Sequence, residues 1–329
     1  MRSGRRSICW LSGYHPRVKR SHLARRLLKH VPSVFSVAAV APLFFGAGFQ
    51  ATSSLGTVPI TSQSQATSLI KAGLVTSSVT NVREMLAADI WPNYGPCAML
   101  AITPISQWPG PSGCTFGEKS ASKTVLLVGD SRAQILLGAF NALGATNGFG
   151  VVPMILAGCT FTQAATMPRP CQGFASWVGQ EIATLHPSAV LVAGKFVGPT
   201  SPTSLATKGL VDVLSGWSKL GSPVVLLGNT PVIPTDPKQC ISVHPTTLTK
   251  CGFDLKKSEA TWLNLKGAAA AAHVAYAPII QVLCTTKCPI VVDGIAAYLN
   301  TQHASPQLLE AMAEPIGEAL KGSLPGLIH

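Results

Sequence analysis

Residues 123–132 read Lys-Thr-Val-Leu-Leu-Val-Gly-Asp-Ser-Arg. An unbroken aliphatic run between polar neighbours is typical of a strand that is buried on both faces, as in the middle of a parallel sheet. Gly129 permits a tight turn where this strand ends, and Ser131 then stands where a helix would begin. Backbone N–H groups at a helix N-terminus can stabilise developing negative charge, so Ser131 is a candidate nucleophile. The alternative is that Asp130 and Ser131 only cap the helix, because both residue types are favoured there.

The same alternation of apolar runs and helical segments continues to the end of the chain. Strands are predicted at 123–129, 151–157, 189–193 and 224–228, with a weaker one at 274–278, and helices at 131–145, 172–185, 203–219, 256–273 and 306–320. Strands that alternate with helices predict a parallel sheet covered on both faces, that is, an α/β fold of the flavodoxin-like, three-layer kind. In such sheets the active site forms at the carboxyl ends of the strands.

The charge of the chain is concentrated at its N-terminus. The net charge of +12 would suggest a nucleic-acid binder, but residues 1–30 hold nine of the 25 Lys and Arg residues and no acidic residue. The other 16 basic and 13 acidic residues leave the rest of the chain at only +3. With 47% apolar and 12% charged residues overall, the chain is predicted to fold, and no nucleic-acid partner is expected.

The basic tail runs into an uncharged apolar segment at residues 31–49. This order is typical of an export signal, and the positive-inside rule places the tail in the cytoplasm and the C-terminal bulk outside it. We therefore predict a basic cytoplasmic tail (1–30), a signal anchor (31–50), a linker (51–95) with a short helix at 79–89, and an α/β domain (96–329). The chain would be a single-pass protein of the cell membrane. The alternatives are a cleaved signal peptide, which would make the protein secreted, and a buried core helix.

Eight of the nine cysteines follow the apolar segment and fall into close pairs. An even number of cysteines in an exported chain predicts disulfides. Joining nearest neighbours closes the shortest loops and predicts the pairs Cys97–Cys114, Cys159–Cys171, Cys240–Cys251 and Cys284–Cys288. The alternative for Cys284-x-x-x-Cys288 is half of a zinc site, but no second half stands at a suitable spacing.

A second candidate for catalysis lies near the chain end, where residues 298–303 read Tyr-Leu-Asn-Thr-Gln-His. A histidine before the last helix and a serine after the first strand could form the pair of base and nucleophile that serine hydrolases use. The chain here resembles the SGNH (GDSL-type) hydrolases, and in particular the SGNH domain attached to bacterial membrane acyltransferases. The resemblance covers roughly residues 97–320 and rests on Cys114-Thr-Phe-Gly, Gly129-Asp-Ser, Gly158-Cys, Gly228-Asn-Thr-Pro with Cys240 downstream, Cys284 with Cys288, and Tyr298-x-Asn-x-x-His303.

The resemblance implies a role for each of five residues. Ser131 would be the nucleophile and His303 the base of a Ser–His dyad. Asn300 occupies the position at which the family usually has an aspartate. Asp130 would brace the turn, and the N–H groups of Ser131 and Gly158 would form an oxyanion hole. No metal or organic cofactor is implied.

The chain departs from the family in three places: Asn300 replaces the usual aspartate, Arg132 replaces a frequent histidine, and Gly194-Lys195-Phe196 stands where a Gly-x-Asn block is usual. The implied function is an extracytoplasmic serine esterase or O-acyltransferase that acts on acyl groups, first of all acetyl, of cell-envelope glycans or glycolipids. The alternative is a non-catalytic module that binds an envelope glycan or a partner membrane acyltransferase. The retained Ser131 and His303 favour the enzyme, whereas the departures favour the module.

Overall fold

The computed structural model describes residues 78–160, 169–196, 205–259, 264–284 and 286–329. The predicted basic tail, the signal anchor and most of the linker lie outside these ranges. Within the described ranges, no helix has the length and apolar character needed to cross a membrane.

The described residues alternate between strands and helices. The strands are β1 Ala98–Leu100, β2 Phe116–Gly117, β3 Thr124–Gly129, β4 Gly150–Ala157, β5 Ala189–Ala193, β6 Val224–Leu227, β7 Phe253–Asp254, β8 Ala275–Ala277, β9 Lys287–Cys288, β10 Val291–Val292, β11 Ile295–Ala296, β12 Tyr298–Asn300 and β13 His303–Ala304. The α-helices are α1 Val82–Ala88, α2 Ser131–Asn147, α3 Arg169–Gln172, α4 Phe174–Leu185, α5 Leu205–Ser218, α6 Pro237–Val243, α7 Leu255–Glu259, α8 Leu265–Ala271, α9 Ile280–Leu283, α10 Pro306–Ala311 and α11 Ala313–Leu320.

The central sheet is parallel and has the order β1-β4-β3-β5-β6-β8, with the short β2 pairing antiparallel to β4. Without the edge strand β1, the order of the main strands is that of a flavodoxin-like fold, in which the second strand in sequence lies outside the first. The predicted α/β fold class is therefore confirmed. The five predicted strands are all present, and their ends differ from the prediction by a residue at most.

The two faces of the sheet carry separate hydrophobic cores. Side chains alternate along β3, so Val125 and Leu127 pack into one core and Leu126 and Val128 into the other. The first core includes α2 and the C-terminal helices α10 and α11, whereas the second includes α4, α5 and α8. Because the side chains of Val125 to Val128 are all buried, this part of β3 is a continuous apolar run in the sequence.

Three predicted helices are interrupted. Gly173 separates α3 from α4, and Met312 separates α10 from α11. Pro315 explains the second break, because it lacks the N–H that would extend α10 but is tolerated in the first turn of a new helix. The helix predicted at 256–273 appears as α7 and α8, and the side chain of Asn264 caps α8 by accepting from the N–H of Gly267.

Residues 78–95 were assigned to the linker, but in the structure they pack on the α/β domain. Helix α1 contacts α6 and β11, and the N–H of Val79 donates to the carbonyl of Pro245 at 2.7 Å. The side chain of Asp89 is buried. These contacts hold part of the predicted linker against the domain.

Disulfides join the four predicted pairs: Cys97–Cys114, Cys159–Cys171, Cys240–Cys251 and Cys284–Cys288. The last pair leaves neither sulfur as a thiolate for zinc. Cross-links of this kind typically stabilise a fold by about 2–4 kcal/mol, chiefly by restricting the unfolded chain.

Candidate active site

The turn between β3 and α2 brings Ser131 to the carboxyl edge of the sheet. Gly129 has a positive φ of 153°, and a Cβ atom there would collide with the carbonyl oxygen of Ala193 in the neighbouring strand. Only glycine therefore lets β3 end this close to β5. Asp130 caps α2 by accepting from the N–H of Arg132, which leaves Ser131 as the first residue of the helix.

A hairpin at the other end of the chain brings His303 to the same place. Strands β12 and β13 pair antiparallel, with Asn300 opposite His303. Ser305 then caps α10 by accepting from the N–H of Leu308 at 3.2 Å. In this arrangement Oγ of Ser131 lies 2.8 Å from Nε2 of His303, so the two predicted catalytic residues form a hydrogen-bonded pair.

Asn300 sets the orientation of the imidazole. Its Oδ1 lies 3.0 Å from Nδ1 of His303 and also accepts from the backbone N–H groups of Gln302 (2.9 Å) and His303 (3.1 Å). Because a backbone N–H can only donate, the atom that faces the ring is the amide oxygen rather than the NH2 group. Nδ1 then carries the ring proton, and Nε2 is free to accept the hydrogen of Ser131.

The surroundings of His303 disfavour its charged form. Burial is the largest effect, and the positive charges of Arg132 and Lys195 add to it; together they lower the pKa of His303 to about 4. The neutral imidazole is therefore the form present at neutral and mildly acidic pH. Asn300 supplies a hydrogen-bond acceptor but no negative charge to counter this shift.

Asp130 accepts two backbone hydrogen bonds at the turn. Its Oδ1 accepts from the N–H of Arg132 at 2.8 Å and its Oδ2 from the N–H of Lys195 at 2.7 Å. Burial raises the pKa of Asp130, while these two hydrogen bonds and the charge of Arg132 oppose the rise. The carboxylate thus links α2 to the segment that follows β5.

Arg132 is a buried brace with 2% of its surface exposed. Its Nη1 donates to the carbonyl of Thr230 at 3.1 Å, which ties α2 to the segment after β6. Its Nη2 has no hydrogen-bond partner among the described residues. Burial lowers the pKa of Arg132, and the Asp130 carboxylate opposes this effect.

The segment at 194–196, where the family's Gly-x-Asn block is usual, is held by Asn229. The side chain of Asn229 is buried, its Oδ1 accepts from the N–H of Phe196 at 3.5 Å, and its Nδ2 donates to the carbonyl of Phe196 at 3.2 Å. Sequence reasoning gave Asn229 no role, although it had singled out the Gly228-Asn-Thr-Pro run that contains it. Asn229 supports the loop on which Lys195 stands.

Two further side chains lie near the base. Nζ of Lys195 donates to Oε1 of Gln302 at 3.1 Å, beside the turn that carries His303. The ring of Trp91 lies against the His303 ring, with 4.8 Å between centroids and an angle of 87° between planes. Trp91 carried no signal in the sequence, because it stands far from both motifs in a segment assigned to the linker.

Gly158 follows β4 at the same edge of the sheet as Ser131. Gly129 is level with Ile155 of β4, so Gly158 lies just beyond the end of β3. Its φ is +88°, a conformation that favours glycine. No group of three or more metal-ligating side chains occurs in the parts of the chain that the structure describes.

A serine–histidine pair at the carboxyl edge of a flavodoxin-like sheet places the chain among the α/β proteins with a serine-hydrolase type of site. The chain belongs to the SGNH family: the family model described as "SGNH domain (fused to AT3 domains)" matches residues 97–318. No curated protein sequence matches the chain.

The chain also matches solved structures at low sequence identity. TesA is 18% identical over 61% of this chain and 100% of its own (TM-score 0.39), and a GDSL-like lipase from Bacteroides thetaiotaomicron is 13% identical over 74% and 98% (TM-score 0.38). Axe2, an acetylxylan esterase from Geobacillus stearothermophilus, is 11% identical over 62% of this chain and 95% of its own (TM-score 0.33). The family assignment rests on the family model rather than on these structures.

Proposed function

We propose that the chain is a serine esterase or O-acyltransferase that acts on acyl groups, first of all acetyl, of cell-envelope glycans or glycolipids. The observation that carries the proposal is the continuous chain of hydrogen bonds from Ser131 Oγ to His303 Nε2, and from His303 Nδ1 to Asn300 Oδ1. Such a chain joins a nucleophile, a base and a group that orients the base.

In the first half of the reaction, His303 Nε2 takes the proton from Ser131 as Oγ attacks the acyl carbonyl carbon. The N–H groups of Ser131 and Gly158 stabilise the oxyanion that forms. The protonated His303 then gives its proton to the departing sugar oxygen, which leaves the acyl group on Ser131. In the second half, His303 takes a proton from water for hydrolysis, or from another sugar hydroxyl for transfer, as that oxygen attacks the acyl carbon. His303 then gives this proton to Ser131 Oγ as the bond between Oγ and the acyl carbon breaks.

Asn300 makes this chemistry slower than a carboxylate would, but it does not prevent it. In serine proteases, replacing the triad aspartate by asparagine lowers kcat about 10⁴-fold, partly because the histidine adopts the wrong tautomer. Here two backbone N–H groups hold the amide oxygen towards the ring, so the tautomer part of that loss does not arise. The remaining cost is the lack of a negative charge beside the imidazolium.

The proposed location is outside the cytoplasm, with residues 31–50 as a membrane anchor. The basic tail before the apolar segment supports this orientation, and the four disulfides fit an oxidising compartment. The family model describes domains fused to AT3 acyltransferase domains, so a membrane acyltransferase is the proposed partner. A reporter fused after residue 329 should be active only if it works outside the cytoplasm, and activity of a cytoplasm-specific reporter would refute the topology.

The second candidate function is a non-catalytic module that binds an envelope glycan or the partner acyltransferase. The neutral Asn300 and the depressed pKa of His303 favour it, because both disfavour the imidazolium of the catalytic cycle.

A serine-reactive fluorophosphonate distinguishes the two functions. We expect the full-length chain in mild detergent to be labelled at Ser131, and Ser131→Ala to abolish labelling. Ser120→Ala is the matched control, because Ser120 is an exposed serine that precedes β3. A folded parent protein that resists the probe would favour the binding module.

A further inference from the structure

The residues that precede the family match form a strap across the site. We define the N-terminal strap as residues 78–96. It is tied to two parts of the domain: Nζ of Lys238 in α6 donates to the carbonyl of Asp89 at 3.2 Å, and Nε2 of Gln134 in α2 donates to the carbonyl of Pro92 at 3.1 Å. Trp91 lies in the chain between Asp89 and Pro92, the two residues that accept these hydrogen bonds.

The C-terminal part of the strap is fixed as firmly. The Tyr94 hydroxyl lies beside Gly138 of α2 and near the Glu310 carboxylate of α10, and burial together with that carboxylate raises the pKa of Tyr94 to about 12. The Tyr94 ring meets Phe116 edge to face at 5.6 Å. The disulfide from Cys97 to Cys114 follows directly. The backbone around Trp91 is therefore positioned rather than free.

Trp91 is held against the base without being buried. Its ring contacts the His303 ring, yet 38% of the residue remains exposed. An indole is among the largest apolar side chains, and one that faces solvent beside the base leaves apolar area that a substrate can cover. Polar groups stand on the same hairpin, because Gln302 precedes His303 and binds the ammonium of Lys195.

We propose that Trp91 lines the substrate-binding site and that it packs against the pyranose ring of an acylated sugar. A pyranose presents C–H groups on its faces and hydroxyls at its edge. An exposed aromatic ring matches the faces, and the amide and ammonium of Gln302 and Lys195 match the hydroxyls. This inference rests on the proposed function and names the substrate class of the same site.

Trp91 contacts His303 as well as the proposed sugar, so its removal affects both the base and sugar binding. Two substrates are needed to separate these two roles. We would measure kcat and KM of the full-length chain in detergent on 4-nitrophenyl acetate, which has no sugar, and on an acetylated methyl pyranoside. We expect Trp91→Ala to lower kcat/KM about threefold on the first, because His303 loses a neighbour, and about thirtyfold on the second, mostly through KM.

Three variants control for loss of fold. Trp91→Phe should keep most of the preference for the sugar ester, because it keeps an aromatic face. Trp91→Leu keeps apolar volume without that face and should resemble Trp91→Ala. Ile90→Ala alters a neighbour that is 70% exposed and should leave both activities unchanged. Equal losses on the two substrates with Trp91→Ala would overturn the proposal, as would full sugar-ester activity with Trp91→Leu.

Binding measurements separate this proposal from the esterase activity. In the Ser131→Ala background, titration with the acetylated pyranoside reports affinity without turnover. We expect the additional change Trp91→Ala to weaken this affinity about tenfold. If the parent cleaves neither ester but this loss of affinity occurs, the proposed enzymatic function fails and the sugar contact stands. Unchanged affinity would refute the sugar contact alone.

Discussion

The two halves of the candidate site are built in different ways. The half with Ser131 comes from ten consecutive residues, 123–132, in which a buried strand, a glycine turn and a capped helix follow one another. The half with His303 is assembled from a hairpin near the chain end and from Trp91 in the N-terminal strap, more than 200 residues apart in sequence. A nucleophile can thus be encoded locally, whereas the environment of its base depends on tertiary packing.

The halves also differ in charge. The nucleophile half contains the buried Asp130 and Arg132, which are linked by a backbone hydrogen bond and by attraction between their charges. The base half has no negative charge beside the ring, because Asn300 takes the place of a carboxylate, whereas Arg132 and Lys195 place positive charge near it. The base is therefore oriented without being electrostatically supported, and the following predictions test that difference.

The largest effect should come from removing either member of the dyad. We expect Ser131→Ala and His303→Ala each to lower kcat/KM on 4-nitrophenyl acetate by about 10³-fold or more, because the nucleophile and the base act as a unit. Ser120→Ala and His329→Ala alter exposed residues of the same types and should behave like the parent. If His303→Ala retains the parent rate, the base has been misassigned.

Restoring a carboxylate should strengthen the base half. We expect Asn300→Asp to raise turnover about tenfold or more, equivalent to about 1.4 kcal/mol of barrier per tenfold, because a negative charge stabilises the imidazolium. The same charge should raise the pKa of His303 above its value of about 4. Asn300→Ala is the matched control and should lower turnover, since the ring loses its acceptor. If Asn300→Asp leaves turnover unchanged, the missing negative charge beside His303 does not limit the reaction.

The strands, the dyad and the disulfides could be predicted because each corresponds to a short pattern in the sequence. Residues 125–128 are apolar because both faces are covered, and short spacings favoured the observed disulfides over other pairings. Trp91 and Asn229 could not be assigned, because each acts through a partner from a distant segment: Trp91 through His303 and Asn229 through Phe196. The break at Met312 could have been found, because Pro315 marks it.

The pH profile should show the cationic surroundings of the base. With the pKa of His303 near 4, kcat/KM should stay nearly constant from pH 8 to about pH 5 and fall as the pH drops through 4, where Nε2 becomes protonated. Lys195→Met removes one of the charges that lower this pKa, so the acidic limb should move to higher pH by less than about one unit. Lys208→Met alters an exposed lysine paired with Asp212 and should leave the limb in place. If kcat/KM of the parent protein falls near pH 6.5 instead of near pH 4, the surroundings of His303 do not lower its pKa.

The smallest effect should come from removing the hydrogen bond between the Gln134 side chain of α2 and the strap. Gln134→Leu removes the bond from Nε2 to the Pro92 carbonyl, typically about 1 kcal/mol, but it also removes Oε1, which is buried without a hydrogen-bond partner among the described residues. Losing the hydrogen bond destabilises the fold, whereas removing a buried oxygen without a partner stabilises it. We therefore expect Tm to change little. Turnover on the acetylated pyranoside should fall less than about threefold, since Lys238, Tyr94 and the disulfide still hold the strap. Gln239→Leu, on the exposed side of α6, is the control and should change neither quantity. A loss as large as that of Trp91→Ala would show that this single bond positions Trp91, and the strap would then be far less rigid than its other contacts imply.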